Sequence, residues 1–282
     1  MQIKPISPVL GAEISGLDIS KPLDDKSVAA LHQALAEHCI LVLRNQTLTP
    51  EQHIKFSRSF GTLVEHVLQD YFLPGYPEIY VISNVKEDAK PVGRAGAGQY
   101  WHSDLSYMAK PSMGSIMFAV EVPDGRGDTL FTNMYKAYDA LPDDQKKYLE
   151  GKKAIHDFSY TQQTQIAGKG LTQPASKKTL AKTPPVAHPV IRTHPESRRK
   201  ALYVNPGMTT HLEGLPADES RMMLDELFEH AVRDEFTYRH RWHAGDVVFW
   251  DNRCSMHCAL NDYSENDRRL MWRTTIAGDV PV

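Results

Sequence analysis

Short apolar runs recur through the second half of the chain: SIMFAVEV, TLFTN, VAHPVIRTH, ALYVN, FTYRHRW, DVVFW and RLMWRTTIAG. Several alternate apolar with polar positions, and Gly, Pro, Asn or Asp separates most of them, which predicts a β sandwich or barrel. Earlier, CILVLR (39–44) predicts a buried strand and IYVIS (79–83) another. Helical spacing appears after Asp24-Asp25, where Val28, Leu31, Leu35 and Cys39 share one face. A second helix is predicted from Pro50 through PEQHIKFSRSFG, closed by Gly61. LPDDQKKYLEG (141–151) and PADESRMMLDELFEHAV (216–232) predict two more, the latter with Met222, Leu224, Leu227 and Phe228 on its apolar side.

Two segments lack such order. KEDAKPVGRAGAGQ (86–99) reads as a mobile loop ending at WHSD, and the long polar stretch over 159–185 reads as a second flexible cover. With no break in composition, residues 1–282 are expected to form one mainly β domain with flanking helices.

Composition narrows the partners. With 41% hydrophobic and 24% charged residues and a net charge of -3, the 282-residue chain has a globular balance. It offers no general attraction for nucleic acid or anionic membranes. MQIKPISPVLGAEISG lacks the uninterrupted apolar core of a secretory signal, and no apolar run approaches the roughly 20 residues that span a bilayer, so a cytoplasmic location is expected. The three cysteines, Cys39, Cys254 and Cys258, are too few and too odd in number for a disulfide framework.

The candidate chemistry begins at His102-Ser103-Asp104. On a strand, residues i and i+2 project to one face, so His102 and Asp104 would present an imidazole and a carboxylate to one point. These are two members of the two-histidine, one-carboxylate set that holds Fe(II) and leaves positions open. H-x-D is a weak motif alone, and His194-Pro-Glu196 and His211-Leu-Glu213 resemble it. His194 sits in the turn-like basic stretch RTHPESRRK and reads as a solvated loop histidine, and His211 also faces a turn. His102 differs because it follows a glycine-rich loop and opens a β region. His257, after a strong strand and a turn, is the best third ligand, with a purely structural histidine as the alternative. Downstream, Arg269 and Arg273 share one strand face by period 2. An inward guanidinium needs an anionic partner, and a dicarboxylate cosubstrate would supply it bidentately; the alternative is a surface strand of solvated arginines. Cys254 and Cys258 bracket His257, but without a second cysteine pair they make a poor zinc site. Trp101, Trp242, Trp250 and Trp272 read as core fillers, with Trp242 or Trp250 as candidates to line an iron pocket.

Read in order, LGAEISGLDISKPL (10–23), LVLRNQTLTPEQ (41–52), FGTL (60–63), WHSD, GRGDTLFTN (125–133), HPVIRTHPESRRKALYVN (188–205), FWDNRCSMH (249–257) and RRLMWRTTIAGD (268–279) resemble the taurine dioxygenase and 2,4-D dioxygenase family of Fe(II)/2-oxoglutarate-dependent oxygenases. The resemblance covers nearly the whole chain. It implies a double-stranded β-helix (jelly roll, clavaminate synthase-like), with His102, Asp104 and His257 as iron ligands. It implies Thr129 and Arg269 on the distal carboxylate of 2-oxoglutarate, although counting from His257 leaves Arg268 as a rival to Arg269. It further implies Arg273 and His66 beside the substrate, a small organic anion such as a sulfonate, sulfate ester or aryloxyalkanoate. That substrate would be hydroxylated with O2 while 2-oxoglutarate goes to succinate and CO2. Gly98 and Gln162 stand where the taurine enzyme places an asparagine and an aromatic residue, so the resemblance fixes the reaction and not the compound. Family members are commonly dimers or tetramers. The competing readings are a jelly-roll binding protein without oxygen chemistry and a metal-dependent hydrolase using the same three ligands.

Overall fold

The runs ILVL and VVFW have no polar side because both faces of their sheet are covered. In the computed structural model, which describes residues 1–166 and 175–282, Ile40–Leu43 and Val247–Asp251 pair antiparallel near the middle of an eight-stranded sheet. Its order is Gln2–Pro5, Ala12–Ser15, Ile40–Leu43, Val247–Asp251, Ser112–Glu121, Leu270–Ala277, Tyr76–Ser83 and Phe72–Leu73. All neighbours run antiparallel except Ala12–Ser15 with Ile40–Leu43.

Alternate residues of these strands serve two cores. Leu41, Leu43, Ile116, Phe118, Val247, Phe249 and Ile276 point to one side, where Leu31, Leu35 and Phe56 of the first two helices pack on them. Ile40, Val42, Met117, Ala119, Val248, Trp250 and Met271 point to the other, against Phe131, Met256, Leu202 and Leu212. That second side is roofed by Thr237–His240, Thr129–Asn133 and Ser255–Ala259, and by the smaller sheet Val186–Pro189, Lys153–His156, Thr209–Leu212. Two facing, mostly antiparallel sheets with helices outside make the expected jelly roll.

The helices start where their caps dictate. Asp24 accepts from the Ser27 amide at 2.7 Å to open Asp25–His38, and Thr49 with Gln52 forms a capping box on Pro50–Arg58. The second helix ends at Arg58, short of Gly61. In Ala217–Ala231, Leu224, Leu227 and Phe228 are buried, but Met222 is 63% exposed, so the apolar stripe is narrower than its composition suggests. Among the described residues no helix is long and apolar enough to cross a membrane.

The 86–99 segment carries a small hairpin, Lys86–Glu87 with Lys90–Pro91, and Arg94 then bridges back to Ile82. Within 159–185 the helix Phe158–Thr161 continues into the wider turn Gln162–Ile166, and Lys177–Leu180 forms a further turn of helix; residues 167–174 of that segment lie outside the described residues.

His53, on Pro50–Arg58, is fully buried, with Nε2 3.5 Å from Thr274 Oγ1. Burial lowers its pKa from 6.5 to about 4. The unfolded chain therefore takes up this proton first as pH falls. The contribution is intact above about 6.5 and is lost as pH drops toward 4, an effect of about 3 kcal/mol at most. Urea titrations at pH 7 and pH 4.5 should show a smaller acid loss for His53→Gln than for the native protein; equal losses would refute the assignment.

Candidate active site

His102 and His257 lie far apart in sequence and meet because they form an isolated antiparallel bridge. Each amide donates to the other's carbonyl, at 3.0 and 2.9 Å, and the imidazole centroids stand 4.2 Å apart. Only His102 of the H-x-D triplet is bridged. Asp104 lies in the turn that follows, ahead of Leu105 at φ 56°, so the pair converges through a turn and not through strand alternation.

Three donors converge. His102 Nε2 is 3.7 Å from Asp104 Oδ1, His257 Nε2 is 3.8 Å from Asp104 Oδ2, and one atom from each residue lies within 4.8 Å of the others. These gaps are too long for hydrogen bonds. Two donors each about 2.1 Å from a common ion stand about 3–4.2 Å apart, which is the spacing seen. The His102 Nδ1 is engaged by the Tyr100 carbonyl at 2.8 Å, which turns Nε2 inward as the free lone pair. Burial lowers the pKa of both histidines, and for His257 the neighbouring His102 adds to it, so both are neutral, as a metal would require of them. Burial alone would raise the Asp104 pKa, but Arg273 and then the two histidines hold the carboxyl well below its ordinary range. An anionic carboxylate with two neutral imidazoles fits a divalent ferrous ion.

Asp104 is fixed by groups that no local pattern announces. Its Oδ2 accepts from Ser115 Oγ at 2.8 Å and Trp250 Nε1 at 3.2 Å, and its amide donates to Asn252 Oδ1 at 3.1 Å. Ser115 and Trp250 are direct cross-strand partners, a relation visible only once the register is known. Trp250 is thus both core and site.

The bridge opens into a small cavity walled by His102, His257, Thr129, Trp242, Arg269 and Arg273 among others. Thr129 Oγ1 accepts from Trp242 Nε1 at 3.0 Å, which leaves its O–H free to donate. Arg269 is 4% exposed with no carboxylate partner among the described residues. Its Nε donates to the Gly127 carbonyl at 3.3 Å, and Gly127, at φ 69°, leaves the room: a Cβ there would stand 3.0 Å from that Nε. Arg268 instead points outward, 57% exposed, and pairs with Glu121 at 2.7 Å. Arg273 departs from the reasoning that an inward arginine awaits an external anion. Its Nη1 already binds Asp104 Oδ1 at 2.8 Å, while Nε has no partner among the described residues. His66 is half-buried, not a free loop residue: its ring lies 4.3 Å from that of Tyr80, and Nδ1 accepts from the Leu68 amide.

Two histidines read from sequence as loop residues need correction. His194 is fully buried, with Nε2 on Asp251 Oδ2 at 3.1 Å and Nδ1 accepting from the Glu196 and Ser197 amides. His211 is exposed on the strand Thr209–Leu212. Cys254 joins His194 and Asp251 in a second donor cluster, but Arg253 holds both Asp251 oxygens at 2.9 and 2.6 Å, so a cation there would meet a guanidinium.

The profile of the taurine catabolism dioxygenase TauD, TfdA family matches residues 2–275. The α-ketoglutarate-dependent 2,4-dichlorophenoxyacetate dioxygenase of Cupriavidus pinatubonensis is 38% identical, over 99% of this chain and 98% of its own. An alkylsulfatase of Acinetobacter baylyi is 32% identical, over 99% and 86%. A solved taurine dioxygenase from Burkholderia xenovorans superposes with a TM-score of 0.83 at 34% identity, over 100% and 90%.

Proposed function

Because the chain belongs to the TauD/TfdA family and is a 2-oxoglutarate-dependent dioxygenase, we propose that His102, Asp104 and His257 hold its Fe(II), Thr129 and Arg269 its cosubstrate, and Arg273 and His66 its substrate. The observation that carries this reading is the convergence of two neutral imidazoles and one ionised carboxylate on a single point beside a cavity. When bound, Fe(II) supplies the oxygen-activating chemistry that couples oxidation of 2-oxoglutarate to succinate and CO2 with hydroxylation of a substrate C–H bond.

The chain's own groups then position and exclude. The Thr129 hydroxyl and the Arg269 guanidinium, both in the cavity wall, together meet a carboxylate of the cosubstrate. Trp242 fixes the Thr129 rotor, and the apolar wall of Ile82, Met117 and Phe131 keeps water from the reacting centre. Ser115, Trp250 and Arg273 prevent Asp104 from swinging away from the two imidazoles. For the substrate we propose a small organic anion, an aryloxyalkanoate, sulfate ester or sulfonate. The names of the relatives and the cationic site support this class. We place the enzyme in the cytoplasm as one domain over 1–282, a homo-oligomer (dimer or tetramer), with 86–99 and 159–185 as covers. A net charge of -3 supports a partner list without nucleic acid or membrane.

Succinate production from 2-oxoglutarate with Fe(II) and ascorbate tests the proposal directly; hydrolytic activity independent of 2-oxoglutarate would replace it. Arg269→Met should raise the 2-oxoglutarate KM by about 10- to 100-fold, the loss of a charge-assisted bidentate contact. Arg268→Met should move it less than about twofold, because a surface ion pair contributes little. A large rise for Arg268→Met alone would reverse the assignment.

A further inference from the structure

A second guanidinium near the proposed metal site meets no carboxylate among the described residues. Arg94 is 7% exposed, its Nε has no hydrogen-bond partner among the described residues, and its one side-chain bond is a long one, Nη1 to the Tyr80 hydroxyl at 3.4 Å. Its backbone is held firmly. The Arg94 amide donates to the Val81 carbonyl at 3.0 Å and its carbonyl accepts from the Ser83 amide at 3.1 Å. The preceding Gly93 comes so near the strand that a Cβ would stand 2.7 Å from the Val81 oxygen. A glycine at that point lets the chain lie against Tyr76–Ser83 and brings Arg94 inward.

Tyr80 connects this guanidinium to the site. The His66 ring lies 4.3 Å from the Tyr80 ring, the Arg273 guanidinium carbon 5.2 Å from its centre, and Tyr71 meets it edge-on at 6.1 Å. Tyr100, whose ring is 5.0 Å from that of His102, is half-buried, and its phenol is pushed up to about 12, first by desolvation, with Asp104 and Tyr80 adding to the rise and Arg94 opposing it. Arg94 therefore stands beside Tyr80, on the side of Arg273 and His66, and it does not share the cavity wall of Thr129 and Arg269.

Charge identifies what is missing. Asp104 is paired by Arg273, Arg94 has no carboxylate partner among the described residues, and His66 is held neutral, first by burial and then by the two arginines. A buried guanidinium without an anion is unfavourable, and its planar fork matches a carboxylate. Aromatic walls suit a flat aryl group. Resting on the dioxygenase reading above, we infer that Arg94 is the receptor for the carboxylate of an aryl-bearing substrate of the aryloxyalkanoate type, with Tyr71, Tyr80, Tyr100 and His66 as its walls. Arg273, besides its place at the substrate, holds Asp104.

The test compares phenoxyacetate with its neutral amide, phenoxyacetamide, in the Fe(II)-loaded enzyme, following 2-oxoglutarate consumption. Arg94→Met should raise the KM for phenoxyacetate about 10- to 100-fold. The KM for phenoxyacetamide and that for 2-oxoglutarate should move less than about twofold, the limit for a residue that touches neither. Arg94→Lys, which keeps the charge without the fork, should recover part of the loss, and it carries the same comparison if Arg94→Met does not fold. Equal rises for acid and amide, or a rise in the 2-oxoglutarate KM instead, overturn the assignment, as does stimulation by hexanesulfonate alone. A native enzyme that never consumes 2-oxoglutarate sinks the dioxygenase reading itself, an outcome distinct from native turnover that Arg94→Met leaves untouched.

Discussion

Asp104→Ala is expected to lose more than about 100-fold in Fe(II) affinity, with 2-oxoglutarate turnover falling at least as far. Outer partners of metal ligands typically cost 10- to 100-fold, and a ligand itself should exceed them. Asp104 is the one carboxylate among three donors, so its removal takes away the only charge that attracts a cation. It also strips Arg273 of its partner at 2.8 Å, placing a bare guanidinium beside the site to repel the metal. Ser115→Ala, which removes one donor to Asp104 Oδ2, should fall within the outer-partner range. Metal content after equilibrium dialysis, with near-ultraviolet circular dichroism as the check on folding, decides the matter. Native metal loading in folded Asp104→Ala would disprove the ligand set.

The largest effect on stability should come from Asp251, outside the metal site. Asp251→Ala is expected to cost roughly 3–5 kcal/mol, the usual result of leaving one half of a buried ion pair alone. Asp251 is fully buried; its oxygens bind Arg253 Nε and Nη2 and His194 Nε2. Arg253, 4% exposed, would keep among the described residues only the Glu196 carboxylate, at 2.8 Å. The cluster pins the turn from Val247–Asp251 into Ser255–Ala259, the strand that carries His257. In urea unfolding, Asp251→Ala combined with Arg253→Met should be less destabilised than the sum of the single changes. Strict additivity would show that the two charges do not act as a pair.

What could be read from sequence followed from periodicity and residue chemistry. CILVLR announces a buried strand and RRLMWRTTIAG puts Arg269 with Arg273 on one face, whereas the outward turn of Arg268 is visible only in the structure. His102 and Asp104 were found through the strand argument, although a turn brings them together. His194 was misread because Pro195 and the nearby basic residues reveal a turn, while nothing local reveals the carboxylate that packs beneath it. Ser115 and Asn252, and the bond that Trp250 makes to Asp104, are hidden for a related reason. Their role exists only through strand register, and side chains distant in sequence carry no mark of whom they face. Arg94 lay in a segment whose glycines suggested mobility, whereas Gly93 there allows close approach.

The reciprocal pairing of His102 with His257 has a consequence for biogenesis. A nascent chain carries its first imidazole and its carboxylate long before the second imidazole leaves the ribosome. With His257 as a ligand, a ferrous centre would assemble only once Ser255–Ala259 docks, and oxidising chemistry would be withheld until the sheets that contain it have closed.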